Sequence, residues 1–137
     1  MFSGPIEDRL EIRELHETYG LGVVKNDAEI WGSVWADDAH WDFMGMEVDG
    51  RAAIVELWQQ PMSTLDAVSF QCVPASIEVD GDSATSVVQT QEVLKFKDGN
   101  TRMIGGLYTD TLVKRDGRWV YASRAFRIIA EYNPKEG

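Results

Sequence analysis

Apolar residues recur along this chain with two different periods, and the change of period divides it. In the first third, Ile12, Leu15, Tyr19 and Val23 follow each other at spacings of three and four, the stripe of one helical face. Pro5 suits the first turn of that helix because its missing N–H is not needed there. Gly20 and Gly22 interrupt the helix, and each costs about 1 kcal/mol relative to Ala, which predicts a close approach to the helix backbone. Asn26 or Asp27 can cap a second helix carrying Ile30, Trp31, Val34 and Trp35 on one face and ending near Asp37 and Asp38. A third, short helix after Gly50 carries Ile54, Leu57 and Trp58 and is expected to stop before Pro61.

Beyond Pro61 the pattern becomes strand-like, over Phe70 to Val79, Ala84 to Phe96, Met103 to Val113 and Trp119 to Ile129. The pairs Asp80-Gly81, Asp98-Gly99 and Asp116-Gly117 stand 18 residues apart between these segments. Asp-Gly accepts the positive φ angles of tight hairpin turns, so the four segments read as an antiparallel meander. Helices followed by a long meander give an α+β fold. A twisted sheet covered by helices on its concave side encloses a conical cavity, a natural site for a small molecule.

The chain has 137 residues, a length that fits one domain over 1–137. Its 13 basic against 23 acidic side chains give a net charge of −10. No basic stripe is present, which argues against nucleic acid as a partner. No apolar run has the length of a membrane helix, and the first residues do not have the pattern of a signal peptide. A lone cysteine, Cys72, suits a reducing compartment, so a cytoplasmic location is expected. Asp37, Asp38, His40 and Asp42 do not follow a common metal-ligand spacing, and no phosphate loop or nucleophile elbow is visible. The expectation is chemistry without a metal or organic cofactor.

Strand alternation sorts the remaining polar residues. Trp119, Tyr121 and Ser123 should share one face of the last strand, and Ala122, Arg124 and Phe126 the other. If Arg124 points inward it needs a partner, and Asp110 is the candidate, either as part of a site or as an ion pair tying two strands. Glu92 shares a face with Val88, Thr90 and Leu94. It is then either a perturbed carboxylate that can act as a base or a strand-end residue in water. His16, one helical turn before Tyr19, is either a base reaching the cavity or a boundary histidine bonded to a carboxylate. Trp119 and Tyr121, opposite Arg124, form an aromatic stripe suited to a homo-oligomer interface.

The run from Tyr19 to Asp42, with its Trp35-Ala36-Asp37-Asp38-Ala39 segment, resembles the opening of the SnoaL-like proteins of the NTF2-like superfamily. Further matches are Ile77 to Ala84, Tyr108-Thr109-Asp110, and Asp116-Gly117-Arg118-Trp119 leading to Arg124. The resemblance implies a cone-shaped α+β barrel, assembled as a homo-dimer or homo-trimer, whose cavity takes a small apolar molecule. Members include dehydratases, ketosteroid isomerases, polyketide cyclases and dehydrochlorinases. The His–Asp dyad of the dehydratases and dehydrochlorinases would fall on Phe70 and Val24, with Gln71 following Phe70; the isomerase base would fall on Phe43. None of these positions keeps its acid or base. The resemblance places Tyr19 as an oxyanion donor, Arg124 in the pocket, and Trp41 and Tyr108 in its wall. The function expected is cofactor-free elimination, isomerisation or cyclisation. Tyr19 would polarise the substrate, Arg124 with Asp110 would orient it, and Val24, Trp41, Phe43, Phe70, Gln71 and Tyr108 would surround it. His16 is the expected proton acceptor, with Glu92 or a water behind it. The alternative is a non-catalytic module that binds an apolar ligand or supports another protein.

Overall fold

In the computed structural model, which describes residues 1–135, seven strands form one curved sheet covered by three helices. The last two residues of the expected 1–137 domain lie outside the described residues. In chain order the elements are β1 (Phe2–Ser3), α1 (Ile6–Lys25), α2 (Ala28–Gly32), β2 (Trp35–Phe43), β3 (Met46–Asp49), α3 (Arg51–Met62), β4 (Leu65–Asp80), β5 (Ser83–Phe96), β6 (Thr101–Arg115) and β7 (Arg118–Tyr132). The sheet order is β1-β4-β5-β6-β7-β2-β3. The β4 to β7 meander is antiparallel, whereas β1 joins β4 and β2 joins β7 in parallel. The helices and the curved, unclosed sheet make the expected α+β architecture. Among the described residues no helix is long and apolar enough to cross a membrane.

The helix α1 buries Ile12, His16, Tyr19 and Val23, the predicted stripe with His16 added and Leu15 at its edge. Both helical glycines are close-approach positions. A Cβ at Gly20 would lie 3.1 Å from the Phe70 ring, and one at Gly22 would lie 2.7 Å from the Trp31 backbone nitrogen. At the hairpins, Asp116 and Gly117 both take positive φ (53° and 74°), and Gly81 and Gly99 do so at the other two turns.

Three boundaries differ from the sequence pattern. The second helix is a single short stretch: Asp27 Oδ1 accepts from the N–H groups of Glu29 and Ile30, and the Ser33 N–H closes on Glu29 and Ile30 at the far end. The chain then enters the sheet, because the Val34 carbonyl accepts from the Tyr121 N–H at 2.8 Å and the Trp35 carbonyl from the Arg51 guanidinium. Pro61 lies inside the last turn of α3, where it gives up one N–H donation to the preceding turn, and the helix ends one residue later at Met62. The strand β4 begins at Leu65, five residues before the run that the alternation marks.

The largest correction concerns β7. Its pairing with β6 steps from Thr111–Ser123 to Leu112–Tyr121, leaving Ala122 as an extra residue. This β-bulge reverses the alternation, so Tyr121 and Arg124 both face the interior, at 0% and 2% exposure. Trp119 is buried against α1, its indole N–H donating to Asp8 at 2.9 Å. The aromatic stripe expected to face another subunit is therefore part of the core.

Candidate functional site

The helices α1 and α3 and the concave face of the sheet enclose a cavity of about 180 Å³. Its wall is mostly apolar and aromatic, with Trp41, Phe43, Trp58, Phe70 and Phe126 among its members, and the ionisable side chains on it are Tyr19, Tyr108, Glu92 and Arg102. Tyr19 comes from the buried face of α1, and Tyr108 from an inward position of β6 opposite Val88. Their hydroxyl oxygens stand 2.6 Å apart. In such a pair one hydroxyl donates to the other, and the accepting hydroxyl keeps its own proton for a further acceptor. Burial pushes the Tyr19 phenol up to about 12 and Tyr108 well above its ordinary value. Both are therefore neutral hydrogen-bond donors at neutral pH.

Glu92 belongs to the inward face of β5, in line with Ala84, Ser86, Val88 and Thr90. Its Oε2 accepts a hydrogen bond from the Thr90 hydroxyl at 2.9 Å. Burial raises its carboxyl above the ordinary range, opposed by the Thr90 hydroxyl and the Arg102 guanidinium. Arg102 is itself paired with Glu131 on β7, its Nε 2.6 Å from Oε2. The Glu92 charge is close enough to both phenols to disfavour their ionisation. A partly desolvated carboxylate and a pair of phenol donors thus share one small apolar space, an arrangement suited to moving a proton on a bound molecule.

Behind the tyrosines lies a second set of polar groups. Arg124 Nε and Nη2 donate to the two Asp110 oxygens at 2.7 and 3.2 Å. Its guanidinium carbon sits 3.7, 4.4 and 4.2 Å from the ring centres of Tyr108, Tyr19 and Tyr121. Burial opposes the guanidinium charge, but Asp110 together with the three tyrosines more than reverses this and holds Arg124 cationic. Burial likewise raises the Asp110 carboxyl, and Arg124 and the Ser86 hydroxyl counter that rise only in part. The Ser86 hydroxyl donates to Asp110 Oδ2 at 2.9 Å, so its oxygen accepts from His16 Nε2 at 3.1 Å. The His16 proton is therefore on Nε2, and Nδ1 accepts from the Tyr121 hydroxyl at 2.6 Å. The donors run in one direction, from Tyr121 through His16 and Ser86 to Asp110. Burial, then Arg124 and Arg13, keep the imidazole neutral by lowering its pKa well below 6.5.

These positions revise several sequence expectations. His16 does not line the cavity; both of its ring nitrogens are used in the buried chain, so it has no free lone pair to offer a substrate. Arg124 and Asp110 also stand behind the tyrosines and do not line the cavity. Val24 is half exposed on the outside of α1, in a shallow groove with the outer edge of Phe70; five residues beyond Tyr19 is roughly 140° around a helix. Gln71 is exposed because the pleat of β4 turns it outward beside the inward Phe70. Trp41, Phe43, Phe70, Glu92 and Tyr108 do line the cavity. Sequence reasoning missed Arg102, which no motif marks, and Ser86 and Tyr121, whose place depends on packing and on the bulge at Ala122.

A SnoaL-like domain family matches residues 5–125. The chain belongs to that family. No curated protein sequence matches it. Among solved structures it is similar to a hexachlorocyclohexane dehydrochlorinase of Novosphingobium barchaimii, with 20% identity and a TM-score of 0.84 over 93% of this chain and 90% of that one. It is also similar to a proposed scytalone dehydratase from Novosphingobium aromaticivorans, at 17% identity and a TM-score of 0.87 over 93% and 88% of the two chains. A Mycobacterium tuberculosis protein of unknown function shares 28% identity, with a TM-score of 0.82 over 90% of this chain and 77% of that one. The first two likenesses, at such low identity, concern the fold.

Proposed function

We propose that this SnoaL-like protein catalyses proton abstraction from carbon in a small, largely apolar carbonyl compound, leading to elimination or isomerisation. Glu92 takes a proton from the carbon next to the carbonyl, and the Tyr19–Tyr108 pair donates a hydrogen bond to the oxygen as it becomes an enolate. The enolate either expels a leaving group from the neighbouring carbon or takes the proton back at a different carbon. A ring closure would use the same enolate as the carbon nucleophile. The observation that carries the reading is the placement of a carboxylate of raised pKa and a short phenol–phenol hydrogen bond on the wall of one apolar cavity. Glu92 replaces His16 as the proton acceptor because it reaches the space that a substrate would fill.

The cavity volume is close to that of engineered apolar cavities, of roughly 150 Å³, that hold a benzene molecule, so there is room for one ring within the wall. A panel of single-ring ketones and enones in deuterated water tests the reaction. Exchange at the carbon next to the carbonyl, followed by proton NMR, should occur with the native protein and be lost in Glu92→Gln. Binding of the panel without exchange in any member would instead support the non-catalytic reading, which the apolar Phe70 and Phe43 on the cavity wall favour.

A further inference from the structure

The buried arginine stands close to the cavity without being part of its wall. Arg124 is absent from the lining of the cavity: Asp110 occupies its Nε and Nη2, and three tyrosine rings lie against the guanidinium. Two of those rings carry the hydroxyl pair that faces the cavity. A cation against the face of a phenol draws on its π electrons and makes the O–H a stronger donor. We infer that Arg124 is a positioning residue that sets the donor strength of the Tyr19–Tyr108 hydroxyl pair through the ring faces, while remaining outside the cavity. The inference rests on the proposed oxyanion role only for its use; the electrostatic claim stands without any reaction.

Two features of the fold are built around this cage. The bulge at Ala122 brings Tyr121 to the same face as Arg124, which regular alternation would forbid. The relay from Tyr121 through His16 and Ser86 then ends on Asp110, adding a donor to the carboxylate that anchors the guanidinium. The relay and cage involve several elements: His16 from α1, Ser86 from β5, Asp110 from β6, and Arg124 and Tyr121 from β7. Glu92, also from β5, disfavours ionisation of both phenols, while Arg124 favours it. Cys72 on β4 donates to the His16 carbonyl, its Sγ 3.6 Å away, and burial keeps it a thiol. Arg124 is thus the one cation in contact with these rings among the described residues.

The test replaces every tyrosine with 3,5-difluorotyrosine, whose phenol ionises at lower pH, and follows each ring by fluorine NMR, assigned with single Tyr→Phe variants. In an Asp110→Leu, Arg124→Met double variant, which removes both buried charges together, the Tyr19 and Tyr108 ionisations should move up by about half to one and a half pH units. Exposed Tyr132 serves as the internal control and should not move. Arg124→Lys keeps the charge but loses the flat guanidinium, and should shift the same two rings by a smaller amount. It supplies the measurement if the double variant does not fold. Unchanged Tyr19 and Tyr108 ionisation in a folded variant, or an equal shift at Tyr132, would overturn the inference. Neither result depends on finding a substrate, so loss of the carbonyl reading and loss of this one are separable.

Discussion

The wall of the cavity and the cage behind it are built from the same strands, yet they satisfy their polar groups differently. In the cage, Asp110 accepts from Arg124 and Ser86, both His16 nitrogens are engaged, and Arg124 is stacked on three rings. On the wall, Glu92 has one hydrogen bond from Thr90, and the tyrosine pair retains one unassigned proton. Buried polar groups with complete partners hold a structure in place, whereas those with capacity left over can engage a guest. The contrast separates the residues that should matter for chemistry from those that should matter for folding.

The sharpest way to test that separation is to change one side at a time. Glu92→Gln should lower exchange or turnover by about a hundredfold to ten-thousandfold while leaving the urea midpoint nearly unchanged; a large loss of stability would move Glu92 to the structural side. Asp110→Ala should do the reverse, leaving Arg124 charged and unpaired in the core and costing about 3–5 kcal/mol in urea unfolding. A near-native midpoint there would mean that water reaches the guanidinium. Tyr108→Phe removes one hydroxyl of the pair and should reduce turnover by about tenfold to a thousandfold. Its fluorescence-monitored unfolding should shift far less than that of Asp110→Ala. Equal stability losses in the two variants would erase the distinction between wall and cage.

The division was partly legible in the sequence. The 3–4 spacing of Ile12, Tyr19 and Val23, the Asp-Gly turns and the alternation of β5 are local signals; they put Tyr19 on the buried helical face and Glu92 in line with Val88 and Thr90, but left open whether Glu92 meets the interior or water. The pairing of Asp110 with Arg124 was also accessible, since a buried arginine demands a carboxylate. What failed was whatever depends on one inserted residue or on distant packing. The bulge at Ala122 inverts the parity of everything before it in β7, and nothing in the Val120–Ser123 sequence announces it. His16 was misjudged for a related reason. A helical face can be read from spacing, but the depth at which an imidazole meets Tyr121 and Ser86 is fixed by residues 105 and 70 positions away.

The smallest effect concerns pH, where the two histidines oppose each other. His16 is held neutral in the folded chain, its pKa well below the ordinary 6.5. Its share of stability is therefore complete above pH 6.5 and is lost as the pH falls, by about 1.4 kcal/mol per pH unit while the folded imidazole stays unprotonated. His40 is the reverse case. The Asp49 carboxylate at 2.7 Å, with Glu47 beyond it, raises its pKa, so its contribution is present below 6.5 and lost as the pH rises through the raised value. Between pH 7 and 5.5 the two histidines pull the native slope in opposite directions, and Glu92 and Asp110, whose carboxyls burial raises, act on the side of His40, before Asp8, Asp38 and Asp98, whose pKa values lie below 3.8, begin to protonate. Urea unfolding across that window should show a steeper acid loss in His40→Asn than in the native chain. In His16→Gln the slope should flatten or change sign, because the groups that remain, His40 and the raised Glu92 carboxyl, favour the fold as the pH falls. Identical slopes in the native chain and His16→Gln would mean that the buried imidazole takes up its proton without leaving the fold, and the one-way chain from Tyr121 to Asp110 would have to be redrawn.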